Sequence, residues 1–513
     1  MASRRFPRGG VASPHYLASG AGLAALARGG NALDAAIAAN LALGVVAPYL
    51  CGYGGDVFAI VWDGELHGYL GSGRSPAAAT IDEVRDRAGD EAMPVLGPHA
   101  VTVPGGVAGW FDLLERWGSR SFGELAEAAL AYARDGFELT PTGAAYLGGS
   151  LALYEGQAAL RTTYEGVEAG DVLRQPGLAR TIETLATDGR EAYYRGPIAA
   201  AIAETHQADG GLLSTDDLAA HEGRWVDPLR ARYRDVEIAE LPPPTQGVTA
   251  LEALCILDGF EMPADGPDRH HLLIEAVKIA LQDRDEHVSD PDAMSVAPEA
   301  MLADDWIDER RARIDRQRAR TPQPGAAHVG GTAYLCAADA DGLLVSLIQS
   351  NFRALGSGVH VREWGINLNN RGSSFTFDAS QVNALAPAKL PMHTLIPALA
   401  MRDGEPWLVF GTMGADSQAQ VHVQLLARMV DDDADPQDAL DAPRWCVTPS
   451  TWMLRAERTF PPEWFDALRA RGHDLQSAPR VDAGMGHAHV IQRTGDGYAV
   501  ATEPRAEGAA LGL

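Results

Sequence analysis

Lysine and cysteine are scarce in this sequence, and long apolar runs are absent. Only two of the 513 residues are lysines, Lys278 and Lys389, so arginine supplies nearly all of the positive charge. Acidic residues outnumber basic ones, and the formal net charge is -27. A surface of that sign repels phosphate groups, so we expect neither nucleic acid nor an anionic membrane as a partner.

The four cysteines lie far apart and form no Cys-x-x-Cys pair: Cys51, Cys255, Cys336 and Cys446. This spacing suggests neither a disulfide framework nor a metal site, and we expect buried, small apolar side chains. No stretch reaches the ~18 apolar residues of a membrane-spanning helix. No apolar run typical of a secretory signal precedes Ala21. These absences predict a soluble protein of the cytoplasm.

The hydrophobic content and the length of the chain are sufficient for a large folded protein. Hydrophobic residues make up 46% of the chain, and the length suits two or more units or one large α/β body. Helix-like segments such as Ala32–Leu43 and Phe122–Arg134 alternate with strand-like runs and glycine turns, which indicates α/β layers. Strands dominate in the last third of the chain and are predicted at 332–338, 343–349, 365–368 and 407–412.

Three patterns allow a functional interpretation but have a simpler one. Gly52, Gly54 and Gly55 could cradle a phosphate, but they precede a strand and lack a Walker lysine, so close backbone packing is favoured. His487 and His489 could ligate a metal from one strand face, but no acidic partner signature accompanies them. Carboxylate pairs for glycoside chemistry are too unspecific to identify.

The amino-acid composition changes just before Thr332, and this change is the most informative feature of the sequence. The segment from Asp304 to Arg320 is highly charged and helix-prone, and residues 321–331 are rich in Pro, Gly and Ala without a hydrophobic period. The latter predicts a flexible linker and a natural place for proteolysis. Thr332 then begins a strand-like run. It is either an ordinary strand start or a nucleophile released by cleavage after Gly331. In the second case its new α-amine, with a pKa of about 7.7–8.0, could take the hydroxyl proton.

A set of motifs spread over nearly the whole chain resembles the gamma-glutamyltransferase family. The N-terminal motifs include "GGNALDAAIAANLALGVVAPYLCGYGGDVFAIVWDGE", "VTVPGGVAGW", "LPPPTQG" and "EAVKIALQDRDEHVSDP". The C-terminal ones include "GTAYLCAADADGLLVSLIQS", "GINLNN", "GTMGADSQAQ" and "DAPRW". The resemblance implies an N-terminal-nucleophile hydrolase with a four-layer αββα sandwich. It also implies a precursor that cuts itself into a large chain, 1–331, and a small chain, 332–513.

The resemblance assigns catalytic roles by position. Thr332 matches the nucleophile, which first attacks the carbonyl of Gly331 and then the amide of a substrate. Gly414 and Ala415 match the glycine pair whose backbone N–H groups form the oxyanion hole. Ser350 matches a threonine that hydrogen-bonds the nucleophile, a role that a serine can also fill.

The first departure from the family concerns the arginine that binds the glutamyl α-carboxylate. Ser72 stands at its position, and Arg74 follows two residues later in a Gly/Ser/Pro loop. Arg74 is therefore either a carboxylate-binding arginine, whose fork suits a bidentate pair, or a solvated loop arginine.

Further departures change the charge of the expected substrate pocket. Ser374 replaces the acid that holds the glutamyl α-amine, Arg371 replaces a glutamine, and His393 and Thr394 replace two serines. Asn351 is also placed among the substrate-binding residues. A serine cannot neutralise an ammonium, whereas an arginine and a histidine favour an anion. The pattern resembles a divergent branch that includes oxamate amidohydrolase and cephalosporin acylases.

These observations predict an amidase or acyltransferase with no cofactor and no metal. The default substrate is a γ-glutamyl amide such as glutathione. The alternative is an amide whose acyl group bears a carboxylate but no α-amine, as in glutaryl or oxamate compounds. A third hypothesis is an inactive paralogue that binds a small carboxylate. Large and small subunits would come from one precursor, with a dimer of heterodimers as a possible assembly.

Overall fold

Two antiparallel β-sheets of seven strands each form the centre of the computed structural model, which describes residues 2–328, 330–480 and 482–513 apart from the side chain of Ala483. Val329, in the predicted linker, and Met1 lie outside the described residues. Apolar side chains from both sheets form one shared core between them. Helices cover the outer face of each sheet and form a second and a third core.

The first sheet contains Thr332. Its strands are β2 (Gly10–Ser13), β3 (Asp56–Trp62), β4 (Leu66–Gly71), β7 (Arg224–Val226), β10 (Gly331–Ala338), β11 (Leu344–Phe352) and β21 (Ala509–Gly512). They lie in the order β21-β2-β10-β11-β3-β4-β7. The strand that begins at the predicted cleavage site is therefore a central one.

The second sheet contains the strand that leads to the predicted oxyanion loop. Its strands are β1 (Arg4–Phe6), β8 (Leu229–Tyr233), β9 (Val236–Glu240), β14 (Ala398–Arg402), β15 (Glu405–Thr412), β19 (Ala488–Thr494) and β20 (Gly497–Ala501). Their order is β1-β20-β19-β15-β14-β9-β8. Smaller sheets pair β5 (Phe137–Glu138) with β6 (Val172–Leu173), β12 (His360–Val361) with β13 (Ile366–Asn367), and β16 (Trp445–Thr448), β17 (Met453–Glu457) and β18 (Leu475–Ala478) with one another.

The helices divide between the two outer layers. Helix α2 shows why they form where they do: the Asn31 side chain accepts from the N–H of Asp34, and Asp34 accepts from that of Asn31, which closes a capping box before an alanine-rich run. All residues of α2 are buried, because small side chains permit close packing on both sides. The helices are α1 (Tyr16–Ala27), α2 (Ala32–Val46), α3 (Ile81–Ala88), α4 (Gly106–Trp117), α5 (Phe122–Arg134), α6 (Pro141–Leu151), α7 (Ala158–Tyr164), α8 (Pro176–Asp188), α9 (Glu191–Tyr194), α10 (Pro197–Ala208), α11 (Thr215–Ala219), α12 (Gly247–Asp258), α13 (Pro267–His287), α14 (Asp304–Arg311), α15 (Ser417–Leu426), α16 (Pro436–Asp441) and α17 (Pro462–Ala470).

Strand alternation decides which side chains face the space between the sheets. On β10, Tyr334 and Cys336 enter the core shared by the sheets, while Leu335 and Ala337 enter the core under the helices. Successive side chains of a strand point to opposite faces. Thr332 therefore belongs to the series that faces the second sheet.

The αββα sandwich predicted from the family resemblance is confirmed, and the predicted strands are found with end shifts of up to three residues. One expectation was wrong: the charged segment from Asp304 to Arg320 is helical only to Arg311. Beyond Arg311 the backbone bonds to other parts of the protein: the Asp315 carbonyl oxygen lies 2.8 Å from Nε2 of His271, and the N–H of Ala319 donates to the Arg471 carbonyl oxygen over 2.7 Å. Residues 321–328 contain neither helix nor strand.

Two smaller expectations also have an outcome. Close packing explains the glycine cluster, because a Cβ on Gly54 would lie 2.1 Å from the Asn367 carbonyl oxygen and one on Gly55 would lie 2.3 Å from that of Ser350. All four cysteines are free thiols, two of them buried and two partly buried. No helix among the described residues is long and apolar enough to cross a membrane.

Candidate active site

Thr332 lies at a β-bulge in the first sheet. Gly331 pairs with Phe352 and Ala333 pairs with Gln349, so two residues of β11, Ser350 and Asn351, stand opposite Thr332 alone. Bulges of this kind re-aim side chains and are frequent beside active sites. The Thr332 side chain is buried, and it lies at the junction of strand and linker.

Three hydrogen bonds converge on the hydroxyl oxygen of Ser350. The Thr332 hydroxyl donates to it over 3.3 Å, and the backbone N–H of Phe352 donates over 2.7 Å. The Ser350 hydroxyl in turn donates to the carbonyl oxygen of Gly331 over 2.5 Å. Ser350 thus connects the predicted nucleophile to the carbonyl group of the bond that the nucleophile would attack.

The loop after β15 supplies two free backbone donors. Gly414 has φ +128° and Ala415 has φ +50°, both in the left-handed region. Among the described residues, neither N–H has a hydrogen-bond acceptor, whereas the carbonyl oxygens of both residues accept bonds from the start of α15. Adjacent free N–H groups suit a developing oxyanion. Ala415 therefore does adopt the backbone conformation for which glycine is preferred.

The chain just ahead of Thr332 is bound to this same loop. The backbone N–H of His328 donates to Asp416 over 2.5 Å, and Nδ1 of His328 lies 3.0 Å from the other oxygen of that carboxylate. Arg284 on α13 also donates to Asp416 over 2.6 Å. Burial tends to raise the pKa of Asp416, but Arg284 and His328 outweigh it and lower that pKa to about 2.

A second group of buried polar residues lies on the other side of Ser350. Asp56 pairs with Ser350 across β3 and β11 and lies 3.0 Å from the Nε2 atom of His393. The Arg371 guanidinium lies over the ring of Phe352 at 3.8 Å and donates to the hydroxyl of Thr394 over 3.4 Å. We call the group Asp56, Arg371, His393 and Thr394 the acyl pocket.

Charges in the acyl pocket are only partly compensated. Burial raises the pKa of Asp56 to about 7, although Arg371 and backbone N–H groups of Gly105 and Gly73 lower it. Burial also lowers the pKa of Arg371 to about 9, so the guanidinium stays charged at neutral pH. The pKa of His393 falls well below its usual value, first through burial and then through Arg371. The histidine is therefore neutral, and the positive charge belongs to Arg371.

Several buried atoms of this region have no hydrogen-bond partner among the described residues. They are Nε and Nη2 of Arg371, Nδ1 of His393, and both side-chain atoms of Asn351. Buried polar groups are nearly always satisfied, so a concentration of exceptions indicates a place for a polar ligand. The free atoms of Arg371 are hydrogen-bond donors.

The two remaining predicted residues, Ser374 and Arg74, line two separate cavities. Ser374 donates to the carbonyl oxygen of Arg371 and lines a cavity of about 530 Å³, whose other wall is linker residues 324–328. Arg74 donates to Asp290 over 3.2 Å and to the carbonyl oxygen of Ala388 over 2.8 Å. It lines a different cavity of about 640 Å³ beside Ser72. Arg74 is thus engaged through Nη1, and its side chain is 41% exposed.

Two groups of side chains among the described residues lie close enough to share an ion: His271, Glu275 and His473, and Asp283, Glu286 and His287. Asp283 of the second group accepts from Arg310 over 2.7 Å. The first group is buried. However, the Lys278 ammonium donates to Glu275 over 3.0 Å and contacts His473 over 3.4 Å, so a positive charge already occupies the cluster. His487 and His489, for which the sequence did not favour a metal site, are not among the groups that could hold an ion.

Comparison with known proteins agrees with this geometry. The family model described as Gamma-glutamyltranspeptidase matches residues 18–513. The chain belongs to this family. Gamma-glutamyltranspeptidases are N-terminal-nucleophile hydrolases, and the chain is an enzyme of that class.

Three similar proteins show the range of the family. The glutathione hydrolase-like YwrD proenzyme of Bacillus subtilis is 35% identical, with 98% of each chain covered. The oxamate amidohydrolase proenzyme of Klebsiella pneumoniae is also 35% identical, with 98% of each chain covered. The crystal structure of cephalosporin acylase from Bacillus halodurans has a TM-score of 0.95 at 38% identity and covers 100% of this chain and 97% of its own.

Four residues that touch the site were not predicted from the sequence: Asp56, Gln246, Arg284 and Asp416. Asp416 directly follows the predicted oxyanion residues in "GTMGADSQ", and Gln246 stands in the motif "LPPPTQG". Asp56 begins a strand directly after the glycine cluster, and its position opposite Ser350 was the available signal once β3 and β11 are paired. Arg284 stands inside the motif "EAVKIALQDRDEHVSDP", but its partner Asp416 is 132 positions away, so no local pattern links the two.

Proposed function

We propose that this protein cuts itself between Gly331 and Thr332 and then hydrolyses an amide whose acyl group carries a carboxylate. The observation that carries the proposal is the position of Ser350 between the Thr332 hydroxyl and the Gly331 carbonyl oxygen, beside a buried arginine with free donors. The large chain would be 1–331 and the small chain 332–513.

Self-cleavage requires one acyl shift and one hydrolysis. The Thr332 hydroxyl oxygen attacks the carbonyl carbon of Gly331. Its proton passes to Ser350 as the Ser350 hydroxyl proton passes to the Gly331 oxygen, along the two hydrogen bonds that join them. The Gly331–Thr332 C–N bond breaks, the Thr332 nitrogen takes a proton, and an ester joins the two residues. Water then hydrolyses the ester, leaving a carboxylate on Gly331 and a free amine on Thr332.

The mature reaction repeats this chemistry on a substrate. The α-amine of Thr332 takes the hydroxyl proton as the oxygen attacks the amide carbonyl. The N–H groups of Gly414 and Ala415 would stabilise the tetrahedral oxyanion, and one such donor is typically worth about 10²–10³ in rate. The amine leaves with a proton, and water or another amine resolves the acyl-enzyme.

The acyl pocket supports a carboxylate as the recognised group. Arg371 has two donor nitrogens without acceptors, and a guanidinium fork suits a carboxylate. The one carboxylate of the pocket, Asp56, already receives His393 and the N–H of Gly105, so it is not available for a substrate ammonium. Ser374 stands where the family acid would hold that ammonium. We therefore favour glutaryl- or oxamate-type acyl groups, and the named oxamate amidohydrolase and cephalosporin acylase relatives support this choice.

The second candidate is a γ-glutamyl amide such as glutathione. Its support is the family to which the chain belongs and a relative named as a glutathione hydrolase-like proenzyme. In either case we propose action in the cytoplasm on a small molecule, without cofactor or metal, by one large and one small chain that could pair further.

Substitution of the nucleophile tests the first half of the proposal. Thr332→Ala should yield one uncut chain without amidase activity, while the wild type yields two chains and the small one begins with Thr332 on N-terminal sequencing. Thr181→Ala is a matched control, because Thr181 is equally buried and donates to the Trp364 carbonyl oxygen. Two chains from Thr332→Ala, or an uncut and inactive wild type, would contradict self-cleavage. The second result would support the inactive paralogue.

A panel of amide substrates tests the proposed preference for the acyl group. Glutaryl-anilide, oxamate and γ-glutamyl-anilide share an amide and a carboxylate and differ in the α-amine and in chain length. We expect the highest kcat/KM for a substrate without the α-amine. A strong preference for γ-glutamyl-anilide would defeat our reading of Arg371 and Ser374 and would leave the nucleophile assignment standing.

A further inference from the structure

Gln246 joins the two halves of the site through its buried side chain. Its amide nitrogen donates to the carbonyl oxygen of Thr394 and to that of Ala415, each over 2.9 Å. Its amide oxygen accepts from Arg284 over 2.8 Å. Thr394 contacts Arg371 in the acyl pocket, and Ala415 belongs to the loop with the free N–H groups. The Gln246 carboxamide thus connects the acyl pocket to the loop of Gly414 and Ala415.

The backbone of Gln246 is held independently of this side chain. Its N–H donates to the carbonyl oxygen of His393 over 2.9 Å, and the N–H of His393 donates to the Pro244 carbonyl oxygen over 2.7 Å. The Gln246 side chain makes no capping bond to α12. The three side-chain hydrogen bonds therefore neither cap helix α12 nor hold the local backbone of Gln246.

Ala415 needs outside support to keep its conformation. A residue with a Cβ in the left-handed region costs roughly 1–2 kcal/mol and persists when the surroundings over-determine it. Its carbonyl oxygen accepts from Gln246 and, over 3.1 Å, from the N–H of Gln418. Arg284 bonds both Gln246 and Asp416, so the loop is held at two consecutive residues.

We propose that Gln246 is a positioning residue, which fixes the loop of Gly414 and Ala415 at a set distance from the acyl pocket. This inference rests on the proposed function, since it assigns the loop to the oxyanion. The acyl pocket and the loop of Gly414 and Ala415 must both be correctly placed relative to Thr332. The substrate carboxylate is bound at the first, and the substrate amide reacts at the second. A displacement of ~1 Å in such a site can cost about 10²-fold in rate.

Gln424 offers a matched control within the same chain. It is buried, its amide nitrogen donates to the carbonyl oxygens of Gln420 and Trp445, each over 3.0 Å, and its amide oxygen accepts from the N–H of Trp445 over 3.2 Å. Gln424→Leu therefore removes the same number of hydrogen bonds as Gln246→Leu, two donated and one accepted, in contacts between α15 and β16. The bond that Gln424 accepts comes from a backbone N–H, whereas Gln246 accepts from the Arg284 guanidinium. A purely structural role for Gln246 predicts the same outcome for both variants.

The experiment compares both variants with the wild type in kcat, KM and Tm. For Gln246→Leu we expect kcat on the best anilide to fall by about 10- to 100-fold with KM within about threefold. Gln424→Leu should lower Tm by a similar amount and leave kcat within about twofold. Affinity for a carboxylate-bearing boronic acid, which forms a tetrahedral adduct with a hydroxyl, should fall with kcat in Gln246→Leu. Affinity for the free product carboxylate should not.

Equal kinetic effects in the two variants would overturn the inference. So would a loss in Gln246→Leu that appears in KM alone. If that variant does not fold, Gln246→Glu keeps an acceptor for Arg284 and removes the two donors, so the same fall in kcat is expected from it. An inactive, uncut wild type would instead refute the proposed function, and the two failures are thereby distinguished.

Discussion

The hydroxyl of Ser350 donates a hydrogen bond of 2.5 Å to the carbonyl oxygen of Gly331. The same oxygen of Ser350 accepts from the Thr332 hydroxyl and from the N–H of Phe352. The bond to the carbonyl polarises it, and the accepting lone pair orients the Thr332 hydroxyl. Both effects favour attack on the Gly331 carbon before any α-amine exists.

Removal of this hydroxyl should slow self-cleavage. We expect Ser350→Ala to accumulate uncut chain with a processing rate lower by about 10²-fold, because a donor to the reacting carbonyl is lost. Ser350→Thr should restore most of the rate. Processing is followed on denaturing gels over time after purification.

Ser346 provides the control for that experiment. It lies on the same strand and is equally buried, and its hydroxyl donates to the Phe410 carbonyl oxygen between the sheets. Ser346→Ala should cost stability and leave the rate of cleavage unchanged. Equal rates of cleavage in Ser350→Ala and the wild type would show that the Ser350 hydroxyl has no part in the step.

The substrate charge can be tested at Arg371. Arg371→Gln should lower kcat/KM for a carboxylate-bearing anilide by about 10- to 100-fold, since a hydrogen bond to a charged group contributes about 1.5–3 kcal/mol. The methyl ester of the same acyl group should lose little. Arg74→Gln is the comparison, because Arg74 is engaged with Asp290 and Ala388. A larger loss in Arg74→Gln would move the carboxylate site to the cavity beside Ser72.

The sequence predicted Thr332 and Ser350 as site residues, and strand pairing explains why they lie together. Thr332 and Ser350 are 18 positions apart on strands that local periodicity predicts, and their pairing brings them into contact. Asp56 and His393 are 337 positions apart, and no local pattern links them. The helix predicted to Arg320 also failed for a long-range reason, since backbone groups of residues 315, 319 and 320 bond to α13 and to Arg471, and these contacts override helix propensity.

Anion binding should depend on pH through Asp56. Its pKa is raised to about 7 by burial, so below that value the carboxyl is neutral and the charge of Arg371 is uncompensated. Above it, the Asp56 carboxylate offsets Arg371 and weakens the attraction for a substrate carboxylate. His393 remains neutral throughout, and the pKa values of Tyr193 and Tyr194 beside Asp56 are raised above their ordinary values.

We therefore expect the Ki of a non-reacting dicarboxylate, glutarate, to rise as pH increases from about 6 to about 8. Measuring Ki separates this effect from kcat, which should increase with pH as the Thr332 amine loses its proton near ~7.7–8.0. Asp56→Asn should abolish the rise of Ki and keep a polar partner for His393. A constant Ki in the wild type would contradict the assignment of the pH effect to Asp56.

The oxyanion loop should tolerate change at one of its two residues and not at the other. A Cβ on Gly414 would lie 2.0 Å from the Ser417 hydroxyl oxygen, so Gly414→Ala must move the Ser417 side chain, and the φ of +128° is strained for a residue with a Cβ. We expect kcat to fall by about 10²-fold or more. Ala415→Gly keeps the N–H and relieves the cost of a Cβ at φ +50°, so kcat should change little.

Gly404→Ala is the control for backbone strain, because Gly404 has φ +81° in open space at the far end of β15. It should lower Tm and leave kcat intact. If Gly414→Ala retained full activity, the two N–H groups would not be the oxyanion donors, and the stabilising groups would have to be sought elsewhere around Thr332.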